Sequence, residues 1–202
     1  MQKAATILEK HGVTVEEVSF PEEFSDLDSL KRMHTVVARS DAQESFLREY
    51  LMDKTKLDPE IRGLVENKFN YSREERMRAL DRYTSMRPIF DKIVANYSAI
   101  ITPSVVDEAP RGLDDFGSAA FNWFWTGVHM PVISIPAFTG AHEMPIGISV
   151  VAPRFCDQHL LKISQALSEP LMAEGGWKMK KLNSSFGAMT LLGSDYTSNP
   201  SL

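Results

Sequence analysis

Five histidines, one cysteine and a short run of carboxylates are the groups through which this sequence could do acid, base, nucleophilic or metal chemistry. His129 stands just before an apolar run, where an imidazole serves as a general base or, more commonly, as a hydrogen-bonded structural residue. His142 and Glu143 are adjacent in a turn between two apolar runs. A metal would need further ligands, so the pair reads as a polar turn and no metal site is assigned. Asp107, Glu108, Asp114 and Asp115 follow the run SAIITP, a position where α/β proteins place active-site carboxylates, although a solvated acidic loop flanking Arg111 is the simpler reading. Cys156 precedes a helix start, which can lower a thiol pKa, but a lone thiol after APRF usually fills apolar space.

Motifs that would announce a nucleophile or a phosphate site are absent: no G-x-S-x-G elbow, no Ser-x-x-Lys, no G-x-x-x-x-G-K, no dinucleotide fingerprint and no H-E-x-x-H. No catalytic residue and no cofactor is assigned. The least ordinary stretch is FNWFWTGVHMPVISIPAF, Phe121 to Phe138, where closely spaced Trp and Phe side chains run into two prolines bracketing a β-branched segment. Between Arg111 and Arg154 there is no Lys or Arg, so this part is either deeply buried or lines an apolar cavity.

Elements of fixed length must position these groups. Residues 2–11 read as a short helix with Ala5, Ile7 and Leu8 on one side and Gly12 at its end. VTVEEVSF then alternates like a strand. From Asp26 to Leu51 the spacing is helical, with Leu27, Leu30, His34 and Val37 in register and Ser40 with Gln43 marking a second start. Asp58 and Pro59 begin another helix. Ser72 and Glu75 form a capping box for a longer one, striped by Met77, Leu80, Tyr83 and Met86, which Pro88 should kink or end. The Arg and Glu residues between those apolar positions read as a solvated face. SAIITP, PVISIP and PIGISVVAP, each bounded by Pro or Gly, read as three buried strands of one sheet. A closing helix follows, capped by Asp157 and striped by Leu160, Ile163, Leu167 and Leu171. Beyond Trp177 periodicity is lost, so residues 178–202 read as a mobile tail.

The chain has 202 residues, 43% hydrophobic and 24% charged, ordinary values for a globular protein that buries a core. A net charge of -5 without a basic cluster speaks against nucleic acid. One cysteine allows no internal disulfide, which suits a reducing compartment. The first residues lack the apolar core of a signal peptide, and no uncharged run reaches the ~18–20 residues of a membrane span. A soluble, cytoplasmic protein is the expectation.

Taken in order and spacing, IITPSVVDEAP, FNWFWTGVHMPVISIPAF and MPIGISVVAPRFCDQHLL resemble the C-terminal part of the amidase signature family. There a strand ending in Thr-Pro precedes an Ala-Pro loop and an aromatic helical stretch. A G-x-P-x-x-x-x-P strand follows, then a P-x-G strand leading to P-R-F-x-D and a helix. The likeness covers residues 1–177. It implies an α/β fold, the C-terminal part of the amidase signature fold, with a mixed β-sheet covered by helices.

The sequence departs from the pattern in three places. Gly147 is followed by Ile148 and Ser149 where Gly-Leu-Gln is usual, Phe116-Gly117 replaces a Thr-Gly turn, and His129-Met130 replaces the small residue before Pro131. The serine nucleophile, the second serine and the catalytic lysine of the family all belong upstream of the matched region. Ser184-Ser185 lacks their glycine-rich context.

The resemblance therefore implies part of a hydrolase of carbon–nitrogen amide bonds that contributes a substrate-pocket wall and is inactive alone. Phe121, Trp123, Trp125 and Thr126 would line the substrate side, with Phe116 and His129 beside them. Read without the resemblance, each Trp and Phe is core at helical spacing. The partners implied are a small-molecule amide and either the missing N-terminal part or a second copy in a homodimer. The alternative is a non-catalytic module derived from the fold that binds a small molecule or another chain.

Overall fold

A computed structural model describes residues 1–178. Its first helix, α1 (Gln2–Lys10), buries Ala4, Ile7 and Leu8, with Ala4 rather than the expected Ala5 completing the stripe. The helix closes on His11 and Gly12, whose N–H groups donate to Leu8 and Glu9 carbonyls, and Gly12 takes the left-handed φ of 82° that L side chains avoid. The alternating segment 13–20 is not a strand. Val13 and Val15 pack on the core, but no neighbouring strand among the described residues offers a ladder, and alternation without a partner leaves only an extended chain.

Four further helices follow. In α2 (Leu27–Ser45) the Asp26 carboxylate accepts from the Ser29 N–H at 2.9 Å. The second start expected at Ser40 does not occur: Ser40 is buried inside α2, and the break comes at Phe46, before α3 (Leu47–Asp53). Helix α4 (Pro59–Val65) begins as the sequence predicts, with Asp58 accepting from Glu60 N–H at 2.7 Å and proline in the first turn.

In α5 (Arg73–Val94) the capping box is complete, Glu75 N–H donating to Ser72 Oγ at 3.1 Å and Ser72 N–H to the Glu75 carboxylate at 2.8 Å. Pro88 does not end α5. Its ring is exposed, and burial of Tyr83 and Met86 before it and Phe90 and Val94 after it holds both halves against the core. Met77 is exposed, so the buried stripe starts at Ala79.

The three apolar runs do form one sheet: β1 (Ile100–Pro103), β2 (Val132–Thr139) and β3 (Pro145–Val151), in the order β1-β3-β2. Both ladders are antiparallel, pairing Ile101 with Val150 and Ile133 with Val150 across β3, with a bulge between Pro136 and Phe138. Strand alternation sends Ile148 and Val150 to one face, covered by α1 and the closing helix α7 (Asp157–Gly175), and Val151 to the other, covered by α5 and its neighbours. Helices on both faces of a small sheet give the α/β class.

In α7, Leu160, Leu167 and Leu171 are buried and Ile163 half-buried. Asp157 is not the cap. The helix starts one residue earlier than that role requires, with Cys156 flanking it, and Asp157 sits in the first turn, where a carboxylate complements the helix dipole. The tail expected from 178 onward lies, past Lys178, outside the described residues. No helix among the described residues is long and apolar enough to cross a membrane.

Candidate substrate-facing wall

The aromatic stretch folds into a five-residue helix, α6 (Trp123–Gly127), which its own polar side chains tie in place. Before it, Asn122 Nδ2 donates to the Ser104 carbonyl at 3.0 Å, tying the helix to the loop that leaves β1. Thr126 Oγ1 donates back to the Asn122 carbonyl at 3.1 Å.

Phe124 is the inward anchor. Its ring lies 4.7 Å from Phe90, 4.8 Å from Phe20 and 5.2 Å from Trp125, in edge-on and tilted contacts that aromatic quadrupoles favour. Trp125 is buried in the same cluster, whereas Trp123 and Phe121 are half-buried and Thr126 is exposed. Trp123 rests against the His34 ring at 5.7 Å.

Helix α5 supports α6 from behind. A Cβ on Gly127 would collide with the buried Tyr83 ring, so glycine is the residue that fits there. The Tyr83 hydroxyl and His34 Nδ1 are hydrogen-bonded across 2.9 Å. Burial pushes the Tyr83 hydroxyl pKa up and the His34 pKa down, so both groups stay neutral.

One turn on, Arg87 Nη2 donates to His129 Nε2 at 3.1 Å and, at 3.4 Å, approaches the Gly127 carbonyl. Arginine can only donate, so His129 carries its proton on Nδ1. Burial, and then the positive charges of Arg87 and Arg154, hold the His129 pKa below its ordinary value. The backbone of His129 is left-handed, φ 61°.

Placed on this frame, the candidate wall residues separate. Phe121, Trp123, Thr126 and His129 lie along one short turn of chain with exposed or half-exposed side chains, Trp125 faces the core, and Phe116 is 98% exposed in the 111–120 loop. Sequence reasoning missed the supports: His34 and Tyr83 passed as helix stripe, and Arg87, just beyond that stripe, carries no motif. The signal available was the i, i+4 spacing of Tyr83 and Arg87, which puts both on one face of α5.

Several of the other chemical candidates have structural roles. Glu108 accepts from His142 N–H and Nδ1, both at 2.7 Å, and from Met144 N–H at 3.1 Å, clamping the β2–β3 turn. Burial would raise its pKa, but these donors outweigh it and the net direction is down. Asp115 accepts from Gly117 N–H, and Cys156 packs on the core. Ser104 Oγ shares protons with Ser134 Oγ at 2.8 Å and Ser149 Oγ at 2.9 Å, and Gly147 leaves room for them. Among the described residues no lysine or histidine hydrogen-bonds these hydroxyls, so they form a structural triplet rather than an activated nucleophile.

A family model described as Amidase matches residues 1–161. The chain belongs to the amidase family. Human fatty-acid amide hydrolase 2 is 30% identical over 119 residues, 57% of this chain and 22% of that protein. The inhibitor-bound vestigial complex that reveals the origins of an s-triazine catabolic enzyme superposes with a TM-score of 0.68 at 17% identity, covering 89% of this chain and 39% of that one. A bacterial aryl acylamidase of the amidase signature family superposes at 0.65 with 15% identity, covering 85% and 39%. The chain thus spans well under half the length of each. At such identities the structural likeness speaks for the fold, and that fold is the one the resemblance implied.

Family membership gives His129 a physical meaning. It occupies the glycine position of the family's G-x-P-x-x-x-x-P pattern, and the structure shows why glycine suits it: the backbone there is left-handed. A histidine in that conformation is strained by about 1 kcal/mol and is held by Arg87.

Proposed function

We propose that this chain supplies the substrate-facing wall of an amidase-type hydrolase acting on carbon–nitrogen amide bonds, with the serine nucleophile, second serine and lysine furnished by a segment outside it. The observation that carries this reading is the division of the 121–127 stretch: Phe124 and Trp125 are locked into the core, while Phe121, Trp123 and Thr126 keep a partly open, uncharged face. Such a face is apolar enough to hold an acyl or aryl group and rigid enough to orient it. Human fatty-acid amide hydrolase 2, the relative at 30% identity, supports an amide as the substrate class.

Amide hydrolysis needs an activated nucleophile, a proton donor for the leaving amine and preorganised N–H groups for the oxyanion. A wall provides none of these, so residues 1–202 alone should be inactive.

The test is to assay purified 1–202 on a panel of acyl and aryl amides, alone and joined in frame to an upstream amidase segment carrying the glycine/serine-rich region and the lysine. Turnover only in the joined protein supports the proposal. Turnover by 1–202 alone, or its labelling by a serine-directed fluorophosphonate, overturns it.

A further inference from the structure

We propose that Arg87 and His129 form a carboxylate-binding site at the end of the aromatic wall. Arg87 is a half-buried guanidinium that lacks a counter-ion among the described residues. Arg154 beside it is matched by Asp91, with Nε at 2.8 Å and Nη2 at 2.5 Å from Oδ2, and Arg76 holds both Asp41 and Glu44. Arg87 makes no ion pair with any carboxylate of the described residues. Its Nε is sealed from solvent with no hydrogen-bond partner. Its two hydrogen bonds, both from Nη2, go to a neutral imidazole at 3.1 Å and to the Gly127 carbonyl at 3.4 Å, neither of them a counter-ion.

Burial and the charge of Arg154 both work against the protonated form of Arg87, yet a guanidinium stays charged. An anion placed here would relieve both costs. Asp91 cannot move to it without stripping Arg154, whose backbone N–H it also accepts at 3.2 Å.

The geometry also selects the kind of anion. A planar guanidinium pairs with a planar carboxylate through two parallel N–H donors, and Nη1 of Arg87 makes no hydrogen bond within the described residues. His129 adds a donor, because Arg87 fixes its proton on Nδ1 and its side chain is exposed. The left-handed backbone of His129 is a cost held at this spot, of the sort that recurs where a side chain must be presented to a ligand.

The carboxylate has two sources: an acidic small molecule lying along the wall, or an Asp or Glu of the polypeptide that completes the amidase fold. The site deepens the proposed function by adding a polar terminus to an apolar wall. Its test does not pass through hydrolysis, so the two readings can fail separately.

Residues 1–202 are titrated with hexanoate and with hexanamide, following tryptophan fluorescence and the 15N resonance of the Arg87 guanidinium. Saturable hexanoate binding is expected, weakened about tenfold or more by Arg87→Gln, less by Arg87→Lys, and not reproduced by hexanamide. The second arm measures association with the upstream amidase segment. A tenfold loss there in Arg87→Gln, with no hexanoate binding, assigns the carboxylate to the polypeptide. Melting curves accompany each variant, and Arg87→Lys carries the comparison if Arg87→Gln does not fold. Equal binding of amide and carboxylate, or an Arg87 variant that changes neither binding nor association, overturns the site.

Discussion

Gly127 lies directly against the phenol ring of Tyr83, leaving no room for even a methyl group between α6 and α5. This close approach fixes how far the aromatic wall stands from the helix behind it. Gly127→Ala should therefore lower stability by about 3 kcal/mol, the upper range for overpacking, because the atoms in the way belong to a rigid ring buried to 1% exposure. Urea denaturation measures it. Pairing the change with Tyr83→Leu should recover much of the loss, whereas Gly127→Ala alone costing under 0.5 kcal/mol would mean that α6 is free to shift.

His129→Gly should stabilise the chain by about 1 kcal/mol, since glycine adopts the left-handed backbone without steric penalty. His129→Ala keeps the penalty and loses the hydrogen bond to Arg87, so it should be less stable than either. Melting temperatures of the three proteins rank them directly.

Much of the architecture was legible before the structure, and the failures share a cause. Asp58, the Ser72–Glu75 box and Gly12 mark helix ends because capping is a local exchange of hydrogen bonds between neighbours in sequence. Segment 13–20 misled because alternation specifies two faces but not a partner strand, and Ser40 because a capping pattern inside a continuing helix loses to burial. In the wall, the aromatic run announced itself by composition, while His34, Tyr83 and Arg87 did not. They reach α6 from residues 34 to 87, and contacts at that separation leave no local pattern.

Stability should fall as pH drops below the ordinary histidine range. His34 and His129 both have folded-state pKa values pushed down, chiefly by burial, and Arg87 and Arg154 add to this at His129. The unfolded chain therefore binds protons first. Stability is full above about pH 6.5, the unfolded histidine pKa, and declines until the folded-state pKa values are passed. Urea midpoints between pH 8 and 5 should show the decline, and His34→Gln with His129→Gly should flatten it. Glu108 and Glu174, whose pKa values are held down by hydrogen bonds, act in the same direction at lower pH.

The two tryptophans of α6 should separate packing from recognition. Trp125 is 6% exposed within the Phe20, Phe90 and Phe124 cluster, so Trp125→Ala should cost about 3–5 kcal/mol and give a poorly folded protein. Trp123 is only half-buried, resting on His34 and Phe124, so Trp123→Ala should cost less, about 1–2 kcal/mol, and leave a cooperative melt. In the chain joined to an upstream catalytic segment, Trp123→Ala should raise KM for bulky acyl amides while changing kcat little, as expected when binding common to the ground and transition states is lost. If instead Trp123→Ala leaves KM unchanged for every acyl length tested, the open face of α6 does not meet substrate, and the aromatic run is core and nothing more.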